Sequence, residues 1–166
     1  YMIALTHLQS LNTFTMSIYD LSVESIQKVN STIQYTMNVN PNQNIDQVRQ
    51  RCTVAQMAEQ KTASHMNGNF MDCDVNFDDP FTYAFDVLSG IEYYGTRIEV
   101  KTHQSNAKWI AVNIEKNNKF GMINLHHFLS IDVADYIAIY DSKRFDNGFN
   151  FKTAFIGTRE QLKPLI

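Results

Sequence analysis

The spacing of the apolar residues changes near residue 67, and this change constrains the fold more than any other feature of the chain. Residues 45–65 contain neither Gly nor Pro, and apolar residues recur there at helical spacing. Asn67-Gly68 then supplies a common helix end. The next run, FMDCDVNF at 70–77, alternates as a strand does. A long helix followed directly by strands predicts an α/β or α+β domain with helices packed on a sheet.

Short strand-like runs separated by turn residues fill the second half of the chain. The strands predicted after 70–77 are 81–88, 96–103, 108–115, 135–141 and 151–157. A turn at 117–121 closes an antiparallel meander, and Thr158 is a plausible cap for a short final helix. We therefore expect a mixed sheet that contains an antiparallel meander and is flanked by helices.

The N-terminal part of the chain is set apart by the Asn-rich loop 37–46. Residues 21–36 predict a helix capped by Ser22, whereas residues 3–19 have no clean period and fit a strand or a helix equally. We divide the chain into an N-terminal extension, 1–40, and a main domain, 41–166. The extension is a candidate dimerisation or specificity element.

Charge and size limit the classes of function. With 166 residues, the chain suits one domain or one domain with a small extension. Its net charge of −3 means that any nucleic-acid surface must be a local positive patch.

The two cysteines and the lack of long apolar runs suggest where the protein works. The spacing of Cys52 and Cys73 matches no metal or redox motif, so we interpret them as free thiols in a reducing compartment. No apolar run approaches the ~18 residues needed to cross a bilayer, and no signal peptide is visible. We expect a cytoplasmic protein that does not act on membranes.

Three charged residues interrupt the apolar strands. Asp86 lies inside the apolar run YAFDVL, and acids are almost never fully buried without a partner. Across the turn, Glu99 and Lys101 occupy alternate positions of one strand and therefore share a face. Antiparallel pairing brings Asp86 beside them. The pattern predicts a cluster of two carboxylates and one ammonium group, which is either an inert ion pair or a functional site.

Such a cluster has the parts that phosphodiester hydrolysis needs. The carboxylates of Asp86 and Glu99, with the backbone carbonyl of Val100, form an oxygen-only set suited to Mg²⁺. A metal there polarises a phosphate oxygen and lowers the pKa of a bound water. Lys101 is placed to orient or deprotonate that water, or to stabilise the charge that develops on the phosphoryl group.

Asp86, followed after a short spacer by Glu99-Val100-Lys101, resembles the motif of the PD-(D/E)xK nuclease superfamily, which has the restriction-endonuclease-like fold. The order of elements over residues 46–141 is also similar. Phe85 stands where many members have a proline before the aspartate. The resemblance implies that Asp86 and Glu99 bind Mg²⁺ or Mn²⁺ and that Lys101 is catalytic.

The resemblance also suggests further site residues. Glu59 matches a glutamate that many members carry on the preceding helix to support the metal site. Gln104 matches a polar residue that some subfamilies place just after the motif. Four other residues are candidates for contacts with nucleic acid: His103 for its face, Lys108 for its charge, and Tyr93 and Tyr94 for base stacking.

The function predicted from these observations is metal-dependent endonucleolytic cleavage of DNA, with RNA not excluded and a homodimer possible. The alternative is a catalytically inactive nuclease-like domain that binds nucleic acid or serves in protein assembly. A third possibility is an unrelated α+β protein in which the charged residues form a coincidental ion pair.

Overall fold

A computed structural model describes residues 2–71, 85–104, 109–117, 119 and 121–166. The helices within them are α1 (Met2–Gln9), α2 (Val23–Val39), α3 (Ile45–His65), α4 (His126–Ser130) and α5 (Arg159–Leu162). The strands are β1 (Thr13–Ser17), β2 (Asn69–Phe70), β3 (Val87–Leu88), β4 (Arg97–Gln104), β5 (Val112–Asn113), β6 (Ile123–Asn124), β7 (Tyr136–Phe145) and β8 (Gly148–Gly157). The predicted mixed α/β class is confirmed.

Six strands form the main sheet, in the order β1-β8-β7-β4-β3-β2. β4 and β7 run parallel, whereas the other neighbours in this sheet are antiparallel. The mixed sheet and the antiparallel β2-β3-β4 unit agree with the prediction. The parts of the predicted strands 70–77 and 81–88 that fall in 72–84 lie outside the described residues.

The prediction that 108–115 forms a fourth strand of the meander is wrong. In the described part of this segment, only Val112–Asn113 is a strand, and it pairs in parallel with β6 in a separate two-stranded sheet. The place beside β4 belongs to β7, whose residues 136–140 are all buried. A strand apolar on both faces gains most from a central, parallel position, because both of its faces are then covered.

Both faces of the sheet are covered. β7 contributes alternate residues to two apolar clusters, as strand geometry requires. One cluster joins α1 and α3 to the sheet: Ala4, Leu8, Met57, Ala58, Ile98, Val100, Ala138 and Tyr140. The other joins β6, α4 and α5 to the opposite face: Ile123, Leu125, Phe128, Ile137, Ile139 and Leu162. The side chains of β4 that do not enter the first cluster therefore point to the opposite face.

Residues 2–40, which the sequence sets apart as a candidate extension, contain α1, β1 and α2. The segment 3–19 resolves into a helix followed by a strand, and β1 pairs with β8 of the main sheet. α2 begins as predicted, because the Ser22 side chain accepts a hydrogen bond from the Ser25 amide. Its inner face, with Val29 and Ile33, packs beside Val48 of α3. Within the described residues, no helix is both long and apolar enough to cross a membrane.

Candidate active site

The candidate site forms at the edge of β4 where its neighbour β3 ends. β3 pairs with β4 only through Val87 and Leu88. Just before this pairing, the Asp86 carboxylate accepts a hydrogen bond of 2.8 Å from the Val100 amide. The Asp86 side chain thus supplies the acceptor that the backbone of a paired strand would otherwise supply to the Val100 amide. The N–H and C=O of a strand residue point to the same side, so the Val100 carbonyl also faces Asp86.

Glu99 and Lys101 lie next to Asp86 on the face of β4 opposite the α1–α3 cluster. The Lys101 Nζ is 3.3 Å from the Glu99 Oε1. The Glu99 side chain is only 6% exposed, and its Oε2 is buried without a hydrogen-bond partner among the described residues. Asp86 lies near enough for its charge to act on the Glu99 carboxyl group. Glu99 and Lys101 thus lie side by side, and the Asp86 carboxylate is bound to the amide of Val100 between them.

Burial and crowding of like charges make Glu99 an unusually weak acid. Burial, then the charge of Asp86, raise the pKa of Glu99 to about 8, although the Lys101 ammonium opposes the shift. For Lys101, burial acts to lower the pKa, but the Glu99, Asp86 and Glu59 carboxylates together outweigh it and raise the pKa. Without a metal, the site at neutral pH therefore favours a protonated Glu99 and a charged Lys101.

Glu59 reaches the same region from α3. Its carboxylate oxygen Oε2 lies 2.6 Å from Nζ of Lys28 on α2, and the side chains of Lys28 and Glu59 are 17% and 11% exposed. Burial and the Asp86 charge raise the pKa of Glu59 to about 7, against the opposing effects of Lys28 and Lys101. Glu59 thus approaches Asp86 from the α3 side of the sheet, near enough for the charges of Asp86 and Lys101 to act on it.

The donor set fits a hard divalent cation held through few protein ligands. Within the described residues, no group of three His, Cys, Asp or Glu side chains is arranged to hold a metal ion. The available set is thus the Asp86 and Glu99 carboxylates with the Val100 carbonyl. Mg²⁺ commonly binds through one or two carboxylates and keeps several waters. Within the described residues, the Glu99 Oε2 is buried without a hydrogen-bond partner, and the nearby Asp86 charge repels the ionised Glu99. A cation would offset the cost of that burial and of that repulsion.

Gln104 lies on the exposed rim beyond this site. It ends β4, and its Oε1 accepts a hydrogen bond of 2.5 Å from Gln50 of α3. The Gln50 Oε1 in turn accepts one of 3.1 Å from the exposed Arg144 of β7. His103 has a different position, because it is 9% exposed and its Nδ1 is 3.5 Å from the Asp141 carboxylate. His103 is therefore buried beside Asp141 of the neighbouring strand β7 and is not exposed on the rim.

The two tyrosines lie in the connection between β3 and β4. Tyr93 is half-buried and stacks on His7 of α1 with ring centroids 4.4 Å apart. Tyr94 is 62% exposed and has a left-handed backbone, with φ of 64°. Lys108, the remaining candidate for nucleic-acid contact, lies outside the described residues.

The sequence did not single out Lys28 and His127, which also belong near the site. Lys28 lies about one turn after the buried Ser25 on α2, a position where lysines usually run their stems along the apolar face. His127 of α4 is exposed, and burial, His126 and the Lys101 charge lower its pKa. The sequence provided no signal that either residue lies near the site, because the position of each depends on how separate elements pack.

The comparisons with known proteins agree with a nuclease. The chain belongs to the family described as Bacteriophage T4 endonuclease IV, whose model matches residues 2–165. It is 37% identical over 166 residues to Endonuclease IV of Enterobacteria phage T4, covering 98% of this chain and 90% of that protein. No solved structure matches the chain. Membership of the PD-(D/E)xK superfamily and the restriction-endonuclease-like fold stay predictions, because neither comparison names them.

Proposed function

We propose that this protein is an endonuclease that hydrolyses phosphodiester bonds of DNA with the help of Mg²⁺ or Mn²⁺. Its family and the phage T4 relative are named as endonucleases, which supports the cleavage activity. The observation that carries the metal-dependent mechanism is the placement of Asp86, bound to the Val100 amide, next to the buried Glu99 and its partner Lys101.

The chain's residues have distinct roles in this proposal. Asp86, Glu99 and the Val100 carbonyl would hold the metal. A metal bound there would supply an activated water and polarise the scissile phosphate. Metal binding would release the proton that Glu99 carries in the metal-free protein, because only the ionised carboxylate is a good ligand. Cleavage should therefore become more efficient as the pH rises towards 8.

Lys101 acts mainly as a cation in this proposal. Its raised pKa keeps the ammonium charged, so it is a poor proton acceptor in the metal-free protein. Its side chain is about a third exposed, which leaves it accessible to substrate. The ammonium donates hydrogen bonds to the attacking water or to a phosphate oxygen and stabilises the charge that develops there.

In this proposal, contacts with the DNA backbone lie at the exposed end of β4, where Gln104 ends the strand beyond Lys101. Arg144 and Gln50 extend this rim through their hydrogen bonds. Within the described residues, Arg144 has no carboxylate within ion-pairing distance, so its charge is available to a phosphate. Such a local cation is what an acidic protein needs to bind DNA. The fold leaves Tyr94 exposed as a candidate for base stacking.

Cleavage assays with purified protein test the proposal. The wild type should cut single- or double-stranded DNA with Mg²⁺ or Mn²⁺ and lose activity in EDTA. Lys101→Met should lower kcat by at least ~10²-fold, in the range found when one charge-stabilising group is lost, with the fold intact by circular dichroism.

A matched control is available for Lys101. Lys119→Met removes an exposed lysine that pairs with Glu115 at 2.9 Å outside the site, and it should leave kcat unchanged. Full cleavage in EDTA would overturn the metal-dependent mechanism. Binding of DNA without cleavage under any of these conditions would overturn the enzyme assignment in favour of the inactive, nucleic-acid-binding alternative.

A further inference from the structure

The contact between α2 and α3 is polar where it approaches the candidate site. The Ser25 hydroxyl donates to Gln60 at 2.6 Å and accepts from Gln56 at 3.0 Å. Gln60 also accepts from the Ser22 amide and donates to the Asp20 carbonyl. These bonds fix the register of the two helices. One turn further along α2, the same register brings Lys28 to Glu59.

Lys28 is enclosed between Glu59 and the strand that borders Asp86. Its Nζ lies 2.6 Å from Glu59 and 5.5 Å from the centre of the Phe70 ring. Phe70 pairs with Val87, and the next amide, that of Met71, donates to the Asp86 carbonyl at 2.7 Å. The ammonium group therefore lies over the side chain of Phe70, whose strand pairs with the segment that carries Asp86.

Packing alone gives a weak reason for this ion pair. Taking two charges out of water costs free energy that their attraction often fails to recover, and apolar residues of similar size commonly serve as well. The Ser25, Gln56 and Gln60 bonds already define the helix contact. A buried pair at the margin of the Asp86, Glu99 and Lys101 cluster is better explained by a role in that cluster.

We propose that Lys28 is a positioning residue of the active site: it holds the Glu59 carboxylate on the α3 side of the strands that carry Phe70 and Asp86, where Glu59 supports the bound metal from outside its direct ligands. The inference rests on the proposed metal-dependent function. Partners of this kind, when removed, typically cost about 10–100-fold in metal affinity or activity. The role would also give α2, which belongs to the N-terminal extension, a part in catalysis.

The test compares Lys28→Met, Lys28→Arg and Glu59→Gln with the wild type. The first readout is the Mn²⁺ concentration that gives half-maximal cleavage. The second is independent of activity: the rise in thermal unfolding temperature on adding Mn²⁺. Lys28→Met should raise the half-maximal Mn²⁺ concentration by about 10–100-fold and reduce the metal-induced rise in unfolding temperature, whereas Lys28→Arg should restore most of both.

The double variant Lys28→Met/Glu59→Gln separates this role from simple packing. If Lys28 acts through Glu59, the double variant should be no worse in Mn²⁺ dependence than Glu59→Gln alone. It also removes both charges, so it can be measured if Lys28→Met, which leaves Glu59 without its partner, fails to fold. Lys163→Met, in the exposed C-terminal turn, is the control and should match the wild type.

The possible failures are distinguishable. A wild type that neither cleaves DNA nor gains stability from Mn²⁺ would refute the proposed function. An active wild type with a folded Lys28→Met of unchanged Mn²⁺ dependence would refute only the role of Lys28. A double variant with the product of the two single effects would show that Lys28 does not act through Glu59, and would overturn the inference.

Discussion

The raised pKa of Glu99 makes a specific prediction for the pH dependence of stability. This carboxyl group has a pKa of about 8 in the folded protein, against an ordinary value of 4.5. Between these values, the folded state holds a proton that the unfolded state has lost. The stability associated with Glu99 is therefore fully present below about pH 4.5 and falls as the pH rises towards 8, opposite to the behaviour of a salt-bridged acid.

The size of the effect follows from linkage. One proton held only by the folded state changes the free energy of unfolding by up to ~1.4 kcal/mol per pH unit. With an m value of about 2 kcal/mol per molar urea, the unfolding midpoint falls by up to ~0.7 M per pH unit from this group. Glu99→Gln keeps the size of the side chain but cannot titrate, so this contribution vanishes.

Urea unfolding of the metal-free wild type and of Glu99→Gln, measured from about pH 5 to pH 8, checks the prediction. The difference in stability between the two proteins should shift steadily in favour of Glu99→Gln as the pH rises. The comparison cancels the titrating groups that lie far from Glu99 to first order. Saturating Mg²⁺ should reverse the trend for the wild type alone. Parallel curves for the two proteins would refute the argument that Glu99 holds a proton in the folded state.

Three other predictions follow from contacts described above or from the same structure. Asp86→Ala removes the acceptor of the Val100 amide and should lower the free energy of unfolding in urea by about 1–3 kcal/mol. Asp86→Asn keeps an amide oxygen, so it should retain more stability yet lose cleavage. Equal unfolding midpoints for the two variants would contradict this. Arg144→Ala should weaken DNA binding and reduce the slope of log affinity against log salt by about 1. The control Arg49→Ala, which removes an arginine paired with Asp46, should leave the slope nearer the wild-type value. An unchanged slope for Arg144→Ala would exclude the phosphate contact. Arg159→Met should lower the free energy of unfolding by about 1–3 kcal/mol, because its buried guanidinium donates to the carbonyls of three residues in the segment from α4 to β7 and the variant leaves them without this donor. Calorimetry that finds a near-wild-type unfolding temperature would contradict it.

Local sequence signals predicted the parts of the site that one element or one turn creates. Helical spacing and the cap at Ser22 located α2, and the Gly- and Pro-free run located α3. The alternation of β4 placed Glu99 and Lys101 side by side, as observed. Each of these features depends on residues a few positions apart, where periodicity and capping dominate.

Features that depend on distant pairing escaped the sequence. The parallel neighbour of β4 is β7, and no local pattern distinguishes it from the 108–115 segment, since both are apolar runs bounded by turns. Lys28 lies at the site because α2 packs on α3 in one register, which Ser25 and the glutamines of α3 determine. A lysine near the buried face of a helix looks the same in sequence whether its ammonium group reaches water or a carboxylate.

The pairing of β1 with β8 has a consequence for how the protein is made. Thr13 pairs with Lys152 and Ser17 with Gly148, so β1 lacks its partner in the sheet until β8 has been synthesised. At about 5–20 residues per second, β1 remains unpaired for roughly 7–27 s on the ribosome. β7, which flanks the strand carrying Glu99 and Lys101, is also a late product. A nuclease built in this order has no complete sheet beneath its candidate site until β8 has emerged.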